Sequence, residues 1–177
     1  MKAVVYIAVS LDGFIARRDG SLDWLPGADG SAEGEDYGYG AFMETVDALV
    51  MGRRTYEKVL TFGEWPYRVP VVVLSSRPPE RAAAPRPAVE WMSCPPGEVV
   101  ERFSARGAQL LYIDGGVTIQ RFLDAGLIDR LILTRVPVLL GDGIPLFGPL
   151  QRDIPLRHVE TRSFATGLVQ SVYETVT

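Results

Sequence analysis

Residues 48–57 read Ala-Leu-Val-Met-Gly-Arg-Arg-Thr-Tyr-Glu. Four apolar residues run unbroken into a glycine, and good helix formers follow. The run is too short for a helix and has no polar alternation, which suits a strand covered on both faces. The glycine lets the chain turn, and a short helix is expected from about Arg54 to Leu60. A strand that feeds directly into a helix is half of a β–α–β unit, and such units build parallel sheets.

The same grammar extends outward. Further apolar runs rich in β-branched residues occupy Ala3–Val9, Val71–Leu74, Leu110–Ile113 and Leu131–Leu139. Between them, Tyr39, Phe42, Met43 and Val46 fall at helical spacing. Val99, Val100 and Phe103 form a second stripe that Gly107 would stop, and Ile119, Phe122 and Leu123 form a third that ends at Gly126. From Arg130 onward the helical period disappears. Two long extended stretches follow, separated by the turn-rich Gly141–Pro149, and the last, Gly167–Thr177, alternates like an antiparallel or edge strand. The expectation is one α/β domain over residues 1–177, with a mixed, mainly parallel sheet and an antiparallel C-terminal end. Leu25–Gly34 and the proline-rich Arg77–Arg86 are expected to be irregular loops.

Composition removes several function classes. The net charge of −4 and pI near 5.1 disfavour a broad nucleic-acid surface, so an anionic ligand needs a few local basic groups. One cysteine, Cys94, and one histidine, His158, disfavour an intramolecular disulfide, a zinc site or a cysteine–histidine nucleophile. Both are expected to be structural. The opening MKAVVYIAVSLDG meets Asp12 without a small-residue cleavage pattern, so it reads as a buried strand rather than a signal peptide. With no run near the ~20 apolar residues of a membrane span, a cytoplasmic protein is expected.

Three strand ends could carry chemistry, because open α/β sheets bind ligands outside the carboxyl ends of their strands. At Gly52-Arg53-Arg54-Thr55, helix-terminal N–H groups and an arginine would favour an anion; the alternative is a solvated turn with two exposed arginines. Leu74-Ser75-Ser76-Arg77 could hold a phosphate or ribose, or simply end a strand with polar groups. At Gly115-Gly116-Val117-Thr118 paired glycines would let a ligand lie against bare main chain, although many strand-to-helix turns use such a pair. If the pair serves a ligand, a Cβ at Gly116 should fill ligand space or oppose the backbone geometry.

In order, AVSLDGFIA, MGRRTYE, VLSSR, IDGG and LILTRVPVLLGDGIPLF resemble the dihydrofolate-reductase-like superfamily from Val4 to Tyr173. The chain is most similar to stand-alone bacterial members akin to the reductase domain of the bifunctional deaminase-reductase of riboflavin biosynthesis. The resemblance implies a three-layer dihydrofolate-reductase-like fold and an NADPH site. Ala8 and Ile15 would border the nicotinamide, and Gly52, Arg53, Arg54 and Thr55 would meet the phosphates, including the adenosine 2′-phosphate. Leu74, Ser75, Ser76 and Arg77 would border the adenine ribose. Gly115 and Gly116, across a cis peptide, with Val117 and Thr118, would face the pyrophosphate. Relatives often place an arginine where Val117 stands; Arg77 is expected to take that role.

Asp36 lies fifteen residues before Met51, the spacing of the substrate-binding carboxylate in true dihydrofolate reductases. It precedes Tyr39 and Met43 by one and two turns, so an inward aim is one reading, with Thr134 as its support. A helix cap is the other. Asp12, in SLDG, is either a catalytic acid or a turn residue, and Trp24 is placed at the mouth of the substrate pocket. The expected activity is hydride transfer from NADPH to a small heterocyclic or ribosylated substrate. 5-Amino-6-(5-phosphoribosylamino)uracil reduction is the family precedent. The rivals are a true dihydrofolate reductase and a non-catalytic protein that binds a nucleotide or folate-like ligand. A homodimer through the C-terminal strands is also expected.

Overall fold

The computed structural model describes residues 1–26, 35–77 and 88–176. The strands are β1 (Lys2–Ser10), β2 (Phe14–Ala16), β3 (Ala48–Gly52), β4 (Val71–Leu74), β5 (Val89–Met92), β6 (Leu110–Asp114), β7 (Arg130–Val136), β8 (Ile144–Pro145), β9 (Leu156–Ser163) and β10 (Val169–Thr175). The helices are α1 (Tyr39–Met43), α2 (Arg53–Leu60), α3 (Pro96–Ala105) and α4 (Gly116–Asp124). Eight strands form one sheet in the order β5-β4-β3-β6-β1-β7-β10-β9, and β2 pairs with β8 in a small ribbon. Every neighbour from β5 to β7 is parallel, and β10 and β9 are antiparallel additions. The mixed sheet expected from the sequence is therefore present.

Helices cover both faces of the parallel part. Val99, Phe103, Ile119, Phe122 and Leu123 from α3 and α4 pack on Val5, Val50, Val72, Leu111 and Ile113. Tyr56 and Val59 from α2, with Phe42 from α1, pack on the opposite face against Leu49, Met51, Val71, Val73 and Tyr112. Ala48–Met51 of β3 and all of β4 are buried, which is why they read as unbroken apolar runs.

Several boundaries differ from expectation. The helix expected over residues 39–46 stops at Met43, where Thr45 turns its hydroxyl back onto the Phe42 carbonyl; Val46 is buried beyond the helix. β7 ends at Val136 rather than Leu139, because Pro137 has no N–H for the ladder. The tail holds three long strands rather than two; the stretch from Gly167 is antiparallel as expected and lies between β7 and β9, so the edge belongs to β9. β2 and β5 carry no clear signal in the sequence. Most of the two expected loops, residues 27–34 and 78–86, lies outside the described residues.

Candidate functional site

Chain order decides where a cleft opens. From β1 the chain crosses to β3, steps outward through β4 and β5, and returns to place β6 between β3 and β1. β1 stays paired with β7 through Ser10, but its pairing with β6 ends at Val4 and Tyr112. Beyond that point the two strands part. The Tyr6 carbonyl accepts a hydrogen bond from the Tyr112 hydroxyl at 2.8 Å, on the side where the ladder has stopped. A fork of this kind, at the carboxyl ends of parallel strands, is where such sheets take ligands.

Two helix starts flank the fork. β3 and β6 are neighbours, so α2 and α4 begin side by side. Neither has a side-chain cap or an acidic residue in its first turn, which leaves their N–H groups available to an anion. The turns press together closely. A Cβ on Gly52 would lie 3.0 Å from Thr118 Oγ1, and one on Gly115 would lie 2.3 Å from Thr55 Oγ1. Gly115 also has φ +88°, which side chains rarely adopt. Register places Leu74 beside Gly52, so Ser75–Arg77 emerge next to the start of α2. The three expected segments are thus brought together, with Arg54, Ser76 and Arg77 exposed. Arg53 reaches Glu57 at 2.5 Å, and Ser75 Oγ accepts the Arg77 N–H at 3.1 Å.

The double glycine differs from expectation in two respects. No peptide bond among the described residues is cis, so the pair is joined in trans. A Cβ on Gly116 would meet Ile15 Cδ1 and the Pro145 carbonyl, each at 3.1 Å, rather than ligand space. Gly116 packs beneath the β2–β8 ribbon, and Gly115 carries the conformational demand. Ile15 is thereby placed over the turn, and half-buried Ala8 lies on β1 opposite Thr134. Val117 is exposed at the start of α4.

The acid candidates are redistributed. Asp36 does not turn inward: Oδ1 accepts the Gly38 N–H at 2.8 Å and Oδ2 the Gly40 N–H at 2.9 Å. Those bonds hold its carboxyl below the usual range, so it serves the start of α1 as an exposed anion. Thr134 is buried and bonds Gln170 instead, its Oγ1 accepting from Gln170 Nε2 at 3.0 Å. Asp12 is occupied too. Its oxygens take Ser10 Oγ at 2.6 Å, Leu140 N at 3.2 Å and Gly141 N at 2.7 Å, which ties the end of β1 to the loop before β8. Trp24 follows β2 with a buried Nε1 that has no acceptor among the described residues, a donor to which a ligand could bind. Asp36→Asn should therefore turn over at close to the wild-type rate in steady-state assays, since asparagine serves helix starts as well as aspartate does. A loss of 10²-fold would return Asp36 to the chemistry.

Asp114 was missed in the sequence. It closes β6 at the fork, one residue before Gly115, whose N–H bonds its Oδ1 at 2.8 Å. Burial raises its carboxyl to about 6, and that single N–H bond opposes the shift only in part. Burial pushes the hydroxyls of Tyr39, Tyr67 and Tyr112 up from their ordinary ionisation range, and the nearby charge of Asp114 adds to that upward shift. The available signal was an acidic residue ending a buried apolar strand just before paired glycines. His158 and Cys94 are not near this chemistry: His158 lies on exposed β9, bonded to Thr161 Oγ1 at 2.7 Å, and Cys94 sits before α3.

Comparison with known proteins gives a consistent picture. Residues 2–170 match the RibD C-terminal domain. The uncharacterized protein YwjB of Bacillus subtilis (strain 168) is 39% identical over 170 residues, covering 92% of each chain. A crystal structure from Shewanella sp. PV-4, of a protein assigned to riboflavin biosynthesis, superposes with TM-score 0.92 at 40% identity over 100% of both chains. The diaminohydroxyphosphoribosylaminopyrimidine deaminase/5-amino-6-(5-phosphoribosylamino)uracil reductase of Thermotoga maritima matches with TM-score 0.72 at 17% identity. That match covers 99% of this chain and 56% of the other. The fold is the one shared by such reductase domains, dihydrofolate-reductase-like as expected. No described helix is long and apolar enough to cross a membrane.

Proposed function

This chain belongs to the RibD C-terminal domain family, and from that premise we propose that it is an NADPH-dependent reductase acting on a small heterocyclic or ribosylated substrate. The observation that carries the reading is the pair of uncapped helix starts pressed together at Gly52 and Gly115 beside the fork. This is a surface of bare N–H groups with basic residues at its rim, and a dinucleotide's phosphates fit it. NADPH, when bound there, supplies the hydride.

The chain's own residues divide the remaining work. The N–H groups of α2 and α4 bind the pyrophosphate. Arg53, Arg54 and Arg77, with Ser75 and Ser76, bind the adenosine 2′-phosphate and ribose. Ala8 and Ile15 border the nicotinamide end. Trp24 Nε1 donates to an acceptor on the ligand, and Asp114, its carboxyl raised to about 6, carries a proton at the fork below that pH. A carboxyl that titrates near neutrality is suited to giving that proton to substrate.

The reading is tested by calorimetry and by absorbance at 340 nm. NADPH should bind at least about tenfold more tightly than NADH, a difference of about 1.4 kcal/mol and modest for charge-assisted bonds to a phosphate. Equal affinities would overturn the 2′-phosphate assignment. Steady oxidation of NADPH with any of a panel of ribosylaminopyrimidines, pterins and aldehydes separates an enzyme from a binding protein. A pterin preference would favour dihydrofolate reduction, a reading weakened by Asp36 facing solvent.

A further inference from the structure

Charge is sorted across the carboxyl ends of the strands. In the order β4-β3-β6-β1, the chain places Arg77 after β4, Arg53 and Arg54 after β3, and Asp114 at the end of β6. Beside β1 come Glu35 and Asp36. The Tyr37 carbonyl next to them accepts from the Tyr6 hydroxyl at 2.6 Å and from Gln170 Nε2 at 3.1 Å, which holds that segment over β1. Burial raises the Tyr6 hydroxyl, the Gln170 bond opposes this in part, and the charges of Asp36 and Glu35 add to the rise. The sequence repeats the division. Residues 19–52, which lead from β2 to α2, hold eight of the chain's 22 acidic side chains and no lysine or arginine.

The acidic side of the fork is also aromatic. Asp114 and Tyr112 stand two apart on β6, so they share the face on which α1 and α2 pack. Tyr39 meets Tyr112 with ring centroids 6.5 Å apart, and Tyr67, in the same cluster, packs edge-on against Trp65 at 5.3 Å. Tyr112 gives its hydroxyl to the Tyr6 carbonyl, whereas the hydroxyls of Tyr39 and Tyr67 have no partner among the described residues. No arginine or lysine among the described residues bears on the Asp114 carboxylate; burial raises it, and only the Gly115 N–H opposes. Arg68 is exposed between Tyr67 and Val69, which pack inward. Arg17 and Arg18 pair with Asp23 and Asp142.

We infer that the substrate side of the fork takes an uncharged heterocycle with free hydroxyls and rejects its phosphorylated counterpart, with Tyr39, Tyr67 and Asp114 as the discriminating residues. This rests on the reductase reading and narrows it to one substrate class. A phosphate that leaves water needs charged donors to replace its hydration, and here it would meet a carboxylate and two phenols. Repulsion between exposed charges is screened by salt, whereas a buried carboxylate is screened much less. Asp114 therefore outweighs Glu35 and Asp36 in the discrimination. A ring or sugar hydroxyl fits the same groups: it donates to ionised Asp114 and accepts from a tyrosine hydroxyl. The flanking aromatic rings offer faces and edges to the heterocycle.

Calorimetry on the full chain tests it, at about pH 8 where Asp114 is ionised. The chain is first saturated with NADP+, so that no probe phosphate can occupy the helix starts. Two matched pairs are then titrated: 5-amino-6-(5-phosphoribosylamino)uracil against the same compound without its phosphate, and riboflavin 5′-phosphate against riboflavin. In at least one pair the unphosphorylated member should bind at least about tenfold more tightly, and in neither pair should the phosphorylated member be preferred. Tyr67→Phe should weaken the preferred probe at least about fivefold, with Tm unchanged or higher, because the lost hydroxyl leaves no protein group unpaired. Asp114→Asn should bring the phosphorylated member to within about threefold of its partner. Equal or tighter binding of the phosphorylated members to wild type would overturn the inference. So would a Tyr67→Phe variant that binds normally, or a chain that binds neither member of either pair. Failure of NADP+ to bind is read before any probe is added, and it would sink the reductase reading itself.

Discussion

Asp114→Asn is expected to lower kcat by about 10²-fold or more while NADPH affinity stays within about twofold of wild type. Asparagine keeps the size of the side chain and an oxygen for the Gly115 N–H, but it has no acidic proton to give. Wild-type turnover should fall as pH rises through about 6, where the acid form is lost, and the Asn variant should be flat across that window. The effect on stability has the opposite sign. The folded carboxyl titrates at about 6 against an ordinary value of 3.8, so its ionisation is disfavoured in the fold. Stability is thus highest below about 4, declines as pH rises to about 6, and stays lowered above that. Removing the charge should make the variant more stable than wild type at pH 7, by at most about 3 kcal/mol for a shift of about two pK units, which calorimetry would read as a higher Tm. Turnover at the wild-type rate with a flat pH profile in both proteins would remove Asp114 from the chemistry.

Asp114 also marks the boundary of what the sequence disclosed. The parallel core was legible because β3, β4 and β6 are buried on both faces, and burial on both faces writes itself as unbroken apolar runs. The turns at Gly52 and Gly115 were legible because a strand, a glycine and a helix start are adjacent in the chain. β2 and β8 were not, since three and two residues of ribbon carry no periodicity to detect. β9 was obscured for another reason: exposed on both faces, it shows no alternation of apolar and polar residues. Carboxylate roles depend on which N–H groups stand nearby after folding. Asp36 was legible only as two open readings, of which its bonds to Gly38 and Gly40 bear out the helix start, whereas Asp12 accepts from residues 128 and 129 positions away, which spacing alone could not reveal. Asp114 was hidden because its distinguishing property, burial with one N–H partner, arises only when β1 and β6 part above Tyr112.

The same fork sets the expected result for Gly115→Ala: NADPH affinity at least about tenfold weaker in a protein that still folds. Two separate demands meet at this residue. With φ +88° and ψ 135°, it holds a conformation that costs a side-chain-bearing residue about 1–3 kcal/mol. Its Cβ would also lie 2.3 Å from Thr55 Oγ1, and the β-branched Thr55 in the first turn of α2 has little rotamer freedom with which to retreat. Relief therefore comes from moving one helix start away from the other, which spreads the N–H groups that face the pyrophosphate. Thr55→Ala separates the two demands. In the double variant the clashing oxygen is gone, so affinity should recover in part, leaving the backbone strain. Gly116→Ala is the contrasting control. Gly116 begins α4 without a positive φ, and its Cβ would press on Ile15 Cδ1 and the Pro145 carbonyl at 3.1 Å. Its cost should therefore appear first as a lower Tm through displacement of the β2–β8 ribbon, with the smaller loss of NADPH affinity. If Gly115→Ala binds NADPH as tightly as wild type, the paired helix starts are a packing device and the phosphates must lie elsewhere.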